Sequence, residues 1–326
     1  MKKEIRPIVL ITNQVVHHKA VDLLKEIADV KIIQASSPED IVIEEVREVD
    51  AILARTVKIT KKVIQAAPRL KIISRHGVGV DGIDVEEATK KGIFVTITPE
   101  ANAEAVSEYT IALMLAFSRK ILKGFATIKE RRWDRNQLIQ NELSQKVLGI
   151  IGLGNIGIRV ARKAKAFNMR ILGFDPYISP EKVKDLELDL IDFDSILKES
   201  DIISLHVPAT SQTKGMIGKR ELDLMKNTAL LVNTARGDVI DETALFNVLQ
   251  NQRIAGACLD TFCQEPLSLD NKLPLLDNVI LTPHIAAQTE ETLKRVGIEA
   301  ANNIIRALSG EIPSGIYNKK ILNHLI

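Results

Sequence analysis

The sequence predicts an α/β protein of two doubly wound parallel-sheet domains. Short apolar runs alternate with helical patterns along most of the chain, the pattern of parallel strands covered by helices. At 326 residues the chain exceeds what one hydrophobic core usually serves, and a prior of about 150 residues per domain gives two. The alternation stops at a long helical pattern near the middle and starts again beyond it.

The elements follow in order. Strands are expected at residues 8–11, 30–33, 51–53, 70–73 and 94–95, separated by helices at 20–27, 38–46 and 60–67. One long helix is expected over 102–122, where small and apolar residues cover most of the length, so that it connects the domains and buries two faces. Residues 131–142 are polar and rich in Asn and Gln, which predicts a loop or arm. A second series of strands is expected at 147–151, 170–174, 202–207, 229–233, 255–259 and 279–282, with helices between. A last helix over 290–308 follows Pro283, and the tail to Ile326 is too short for a further domain. The expected place of that helix is back on the first domain, which makes that domain discontinuous in sequence.

Composition narrows the function. The 45% hydrophobic and 26% charged residues are those of an ordinary globular protein. Net charge is only +2, with no basic block and no basic-aromatic interleaving, so no nucleic-acid partner is expected. Met1 to Arg6 is basic, but the apolar run after it is too short for a signal peptide. The longest apolar stretch, 109–117, is about half a membrane span, so no membrane insertion is expected. Two cysteines, Cys258 and Cys263, make no disulfide framework, which suits a cytoplasmic protein. The six histidines lack ligand-type spacing, and no metal is expected.

The most specific motif is Leu148-Gly-Ile-Ile-Gly-Leu-Gly-Asn-Ile-Gly157. An apolar strand leads into Gly152, which permits a tight turn, Gly154, which leaves room for a phosphate, and Gly157, which lets the next helix pack closely. That helix points its N-terminus at the anion. Asp175 ends the following strand, where its carboxylate can take both ribose hydroxyls and repel the extra phosphate of NADP. The expected cofactor is NAD.

In open parallel sheets ligands bind beyond the carboxyl ends of the strands. Three residues there suit hydride chemistry. His284 is a proton carrier near neutral pH, Glu265 a carboxylate that can orient it, and Arg236 a planar fork for a substrate carboxylate.

Asn233-Thr-Ala-Arg-Gly237, Gly256-Ala-Cys-Leu-Asp260 with Glu265-Pro266, and Thr282-Pro-His-Ile285 resemble the signatures of the D-2-hydroxyacid dehydrogenase family, in the family's order. The resemblance covers nearly the whole chain, including 75–84, 98–119 and the glycine loop. It implies a Rossmann-type NAD-binding domain, residues 101–289, inserted into a flavodoxin-like substrate domain formed by 1–100 plus 290–326. Arg236, Glu265 and His284 are then the catalytic set. By the same carry-over Asn155 and Ile156 cradle the pyrophosphate, Val207 and Thr234 line the cofactor site, and Asp260 meets the nicotinamide carboxamide.

Within the family, Leu53-Ala-Arg-Thr56 with Lys58, Arg75-His-Gly-Val-Gly-Val-Asp81 and Thr98-Pro-Glu-Ala-Asn102 point to members that oxidise 3-phospho-D-glycerate on the route to serine. In that reading the backbone of Val78, Gly79 and Val80 meets the substrate carboxylate, Arg55 and Arg75 supply charge for a phosphate, and Arg135 reaches a neighbouring subunit's site. His76 is expected to pack. A homodimer is expected through the long helix and the arm, and serine feedback through an added regulatory domain is not. Gln145 and Thr261 depart from the family pattern, which commonly has glycine at the first position and an apolar residue at the second. Two rivals are members that reduce glyoxylate or hydroxypyruvate, and NAD-sensing corepressors on the same scaffold.

Overall fold

The computed structural model describes residues 6–324; most of the basic N-terminal stretch and the last two residues lie outside that range. The chain divides into two compact units, residues 1–102 with 288–326, and residues 103–287.

The first unit is a five-stranded parallel sheet in the order β2-β1-β3-β4-β5, formed by β1 (Ile8–Ile11), β2 (Asp29–Ile32), β3 (Ala51–Ala54), β4 (Ile72–Arg75) and β5 (Phe94–Thr96). Helices α1 (His18–Ile27), α2 (Glu39–Glu45), α3 (Lys61–Gln65) and α4 (Val85–Lys90) connect them. Alternation along each strand sends side chains to opposite faces. Val9, Ile11, Leu53 and Ile72 pack with Leu24 of α1 and with Ala300, Ala301 and Ile304 of the C-terminal helix, Glu290–Leu308. Leu10, Ile52 and Ile73 pack on the other face with Val42 and Val63 of α2 and α3. Burial on both faces is why β1 and β3 are continuous apolar runs, whereas the edge strand β2 is largely exposed.

The second unit opens with α5 (Ala103–Ser118) and α6 (Ile121–Lys129). Its seven strands are β6 (Val147–Ile151), β7 (Arg170–Phe174), β8 (Asp189–Leu190), β9 (Ile202–Leu205), β10 (Leu230–Asn233), β11 (Gly256–Leu259) and β12 (Val279–Leu281). They form a parallel sheet in the order β12-β11-β10-β9-β6-β7-β8. Helices α7 (Asn155–Lys165), α8 (Phe193–Glu199), α9 (Lys219–Leu224) and α10 (Glu242–Gln250) provide the connections. One core joins Ile111 and Met114 of α5 and Val160 and Ala164 of α7 to Leu148, Ile150 and Val232; the other joins α8, α9 and α10 to Ile151, Ile203, Leu231 and Leu259.

Several elements differ from expectation, among them α4 (Val85–Lys90), a six-residue helix that was not expected. The long helix over 102–122 is two helices, because Lys120 turns left-handed at φ 45° and the Ser118 carbonyl accepts from the Asn141 amide of the returning arm. A competing partner for a terminal carbonyl ends a helix that apolar periodicity would continue. The short edge strand β8 was not expected. It is two exposed residues long, paired beside Leu172 and Gly173, and its Asp189 binds Arg170 at 2.9 Å.

Both departures from the family pattern have local consequences. Gln145 has φ 64°, a left-handed conformation that glycine adopts without strain. Thr261 is buried with its hydroxyl unpartnered, a desolvation that an apolar side chain avoids. Among the described residues no helix is long and apolar enough to cross a membrane.

Candidate active site

In the second unit the chain order reverses between β6 and β9, the neighbouring central strands, so the loops that follow them leave the sheet in opposite directions and open a crevice at its carboxyl edge. The glycine loop lies there. Gly152 has φ 95°, and a Cβ on it would stand 2.7 Å from the His206 carbonyl oxygen and 2.9 Å from the Val207 side chain. A Cβ on Gly157 would collide with the Gly152 carbonyl at 2.1 Å, whereas one on Gly154 would meet no protein atom within 4 Å. The open space at Gly154 sits at the N-terminus of the eleven-residue helix α7, where the helix dipole favours an anion. A dinucleotide pyrophosphate fits this cradle.

Asp175 follows β7, and its carboxylate oxygens accept from the amides of Leu153 and Tyr177, each at 2.9 Å. The carboxylate is thereby tied to the glycine loop, with lone pairs left for a ribose. Ile156 packs into the core, which leaves its backbone rather than its side chain for phosphate. Thr234 is buried beside β10 and shares a 3.0 Å hydrogen bond with Thr110 of α5.

The residues expected to handle the proton meet at the same edge. His284 Nδ1 lies 2.7 Å from Glu265 Oε2, and the Phe262 amide donates to Glu265 Oε1 at 3.0 Å. A carboxylate partner assigns the ring proton to Nδ1, which directs Nε2 toward a ligand. Burial alone pushes the Glu265 carboxyl up, but the His284 and Phe262 hydrogen bonds and the Arg236 charge outweigh it and hold the group below the usual carboxylate range. Glu265 therefore stays ionised as pH falls toward the ordinary carboxylate value. Arg236, half-buried beyond β10, is set by Asn233, whose side chain donates to the Arg236 carbonyl at 2.8 Å and accepts from the Ala235 amide at 3.0 Å.

Asp260 has surroundings that the sequence did not reveal. Its side chain is fully buried and accepts from the Thr282 hydroxyl at 2.6 Å and the amides of Ile285 and Ala286 at 2.9 and 2.8 Å. These bonds are directed at the loop that carries His284.

The first unit holds the other predicted residues. The loop after β4 contains Val78, Gly79 and Val80, and among the described residues their amides have no protein acceptor. Arg75 braces this loop: its guanidinium donates to the carbonyls of Gly79 and Ala54, at 2.6 and 3.2 Å, and to that of Arg55. That is a structural use of donors expected to serve a phosphate. Arg55 differs, because one of its terminal nitrogens is buried without a partner while the other donates to Gln288 at 3.0 Å. Burial pulls this guanidinium below the ordinary arginine value. His76 is buried, and burial first, then the charges of Arg55 and Arg75, lower its pKa to about 3, so it packs as a neutral ring. Arg135 lies exposed on the arm. Gln288 had no sequence signal, and Thr282, although it opens the Thr282-Pro-His-Ile285 signature, was given no role by the sequence.

Residues 111–286 match the family model for the D-isomer specific 2-hydroxyacid dehydrogenase NAD binding domain. This chain belongs to that family. It is 43% identical over 312 residues to the D-3-phosphoglycerate dehydrogenase of Methanocaldococcus jannaschii, covering 95% of this chain and 59% of that protein. It is 39% identical to the glyoxylate reductase of Thermococcus litoralis, covering 97% of this chain and 98% of that one. Among solved structures, D-lactate dehydrogenase from Aquifex aeolicus, complexed with NAD and lactic acid, matches with TM-score 0.82 and 32% identity, over 97% of this chain and 98% of that one. The chain thus spans 59% of the length of the Methanocaldococcus protein and 52% of the D-3-phosphoglycerate dehydrogenase of Synechocystis.

Proposed function

We propose that the chain is an NAD-dependent oxidoreductase interconverting a D-2-hydroxy acid and its 2-keto acid, with residues 101–289 holding the cofactor and residues 1–100 with 290–326 binding substrate. The observation that carries this reading is the 2.7 Å pairing of His284 with Glu265 at the sheet edge that bears the glycine loop. NAD, when bound, accepts or supplies the hydride. His284 Nε2 takes the hydroxyl proton in oxidation and returns it in reduction, and Glu265 keeps the ring oriented. Arg236 anchors the carboxylate and polarises the neighbouring carbonyl. Asp175 selects the unphosphorylated ribose, and the free amides of Val78 to Val80 add donors for the substrate carboxylate.

The preferred substrate pair is 3-phospho-D-glycerate and 3-phosphohydroxypyruvate. The desolvated Arg55, with one nitrogen unpartnered, supports an anion beyond the carboxylate. A second reading is reduction of glyoxylate or hydroxypyruvate, which the commitment of Arg75 to backbone favours, since it leaves one arginine for a phosphate. NADH oxidation with phosphohydroxypyruvate, hydroxypyruvate and glyoxylate in parallel separates them. One charge-assisted contact predicts a kcat/KM about tenfold or more higher for the phosphorylated acid. Equal values would remove the phosphate assignment, and no turnover with any keto acid would leave an NAD-sensing binding protein.

A homodimer is proposed on α6 and the arm. Ile121, Leu122, Phe125 and Ile128 are more than half exposed on that short helix, and Trp133 and Ile139 on the arm are 82% and 79% exposed. Monomers seldom leave so much contiguous apolar surface in water, and a two-fold pairing would cover the same patch on both copies. Equilibrium sedimentation should give twice the chain mass, with Phe125→Lys shifting it to the monomer; a wild-type monomer at micromolar concentration would refute the assignment.

A further inference from the structure

His284 has φ 54°, a left-handed backbone that a histidine holds only where its surroundings over-determine it. What surrounds it is a single buried charge. Thr282, two residues before, donates to Asp260 Oδ1 at 2.6 Å; Ile285, one residue after, donates to the same oxygen at 2.9 Å; Ala286 donates to Oδ2 at 2.8 Å. Asp260 itself is anchored beyond β11, its amide donating to the Asn233 carbonyl at 2.9 Å. The chain is therefore tied on both sides of His284 to one point. A carboxylate removed from water needs its donors, so the charge and the loop fix each other. The Thr282 hydroxyl spends its proton on Asp260.

We propose that Asp260 and Thr282 form a positioning pair that sets the backbone and ring orientation of His284. Asp260 then acts on proton transfer through the catalytic loop, a role separate from any contact with the cofactor. The proposal rests on the reading of His284 as the proton carrier.

Thr282→Val removes the hydroxyl at nearly constant shape and leaves Arg236, Glu265, His284 and the glycine loop untouched. The expected result is a kcat about tenfold lower with the NADH dissociation constant within twofold of wild type, a separation that a loss of one loop-orienting hydrogen bond predicts. Thr282→Ser, which restores the donor, should recover most of the rate. In 15N-histidine spectra the carboxylate-bonded Nδ1 signal of His284 should move toward that of a water-exposed ring in Thr282→Val and stay in Thr282→Ser. An unchanged kcat in Thr282→Val, an equal loss in the valine and serine variants, or a loss confined to NADH affinity would each overturn the proposal. The spectra decide even if the wild-type protein reduces no keto acid, the outcome that instead defeats the functional reading.

Discussion

His284→Ala should lower turnover by about a hundredfold to ten-thousandfold, the range removed with a positioned general acid/base, while NAD binding survives. The proposed cofactor cradle lies in the glycine loop, α7 and Asp175, whereas the imidazole pairs with Glu265. The left-handed backbone at this position adds a complication, because alanine pays for that conformation and asparagine tolerates it. His284→Asn is therefore the cleaner variant: it keeps the loop and removes the base. Both should fail in steady-state assays with the preferred keto acid while NADH fluorescence titrations stay near wild type. A near-normal rate in His284→Asn would remove His284 from the chemistry.

Lowering the pH from 7 to 5 should destabilise both units through two other histidines. His76 in the first unit and His206 in the second are each lowered to about 3 by burial, His76 also by the charges of Arg55 and Arg75. Each has a ring nitrogen without a partner, and Ser204 lies 2.8 Å from the other nitrogen of His206. In the unfolded chain an imidazole takes its proton near pH 6.5, whereas the folded rings stay neutral, so the unfolded state binds more protons and stability falls as pH drops from 6.5 toward 3. At pH 5 each histidine accounts for about 2 kcal/mol. Glu299 opposes this within the first unit, since burial and then Glu100 raise its carboxyl and protonation becomes easier in the folded state. Calorimetric melts at pH 7.5, 6.5 and 5 should show the decline, with a shallower slope in His206→Gln and His76→Gln. A wild-type midpoint that is flat between pH 7 and 5 would refute it.

The sheets were legible because their strands are buried on both faces, which leaves a continuous apolar run with no competing pattern. Leu230 to Asn233 and Val147 to Ile151 are such runs. The exposed two-residue β8 carries no such signature, and the break at Lys120 depends on a carbonyl captured by Asn141, twenty-one positions away from it. At the site, Arg236, Glu265 and His284 stand out because each follows a strand end and sits in a motif. The engagement of Asp260 was hidden because two of its three partners are backbone amides, which every non-proline residue possesses. The bracing role of Arg75 was hidden for the same reason, its acceptors being carbonyls.

The amide of Asn141 returns to the Ser118 carbonyl, so α6 and the arm leave α5 and come back to its end as one closed excursion. Neither strand order nor register of the seven-stranded sheet depends on what lies inside that excursion. Doubling its length would cost only about 0.6 kcal/mol of closure entropy. An insertion or exchange within the excursion would therefore alter the exposed apolar side chains of α6 and the arm and leave the sheet edge that carries His284 and Glu265 in place.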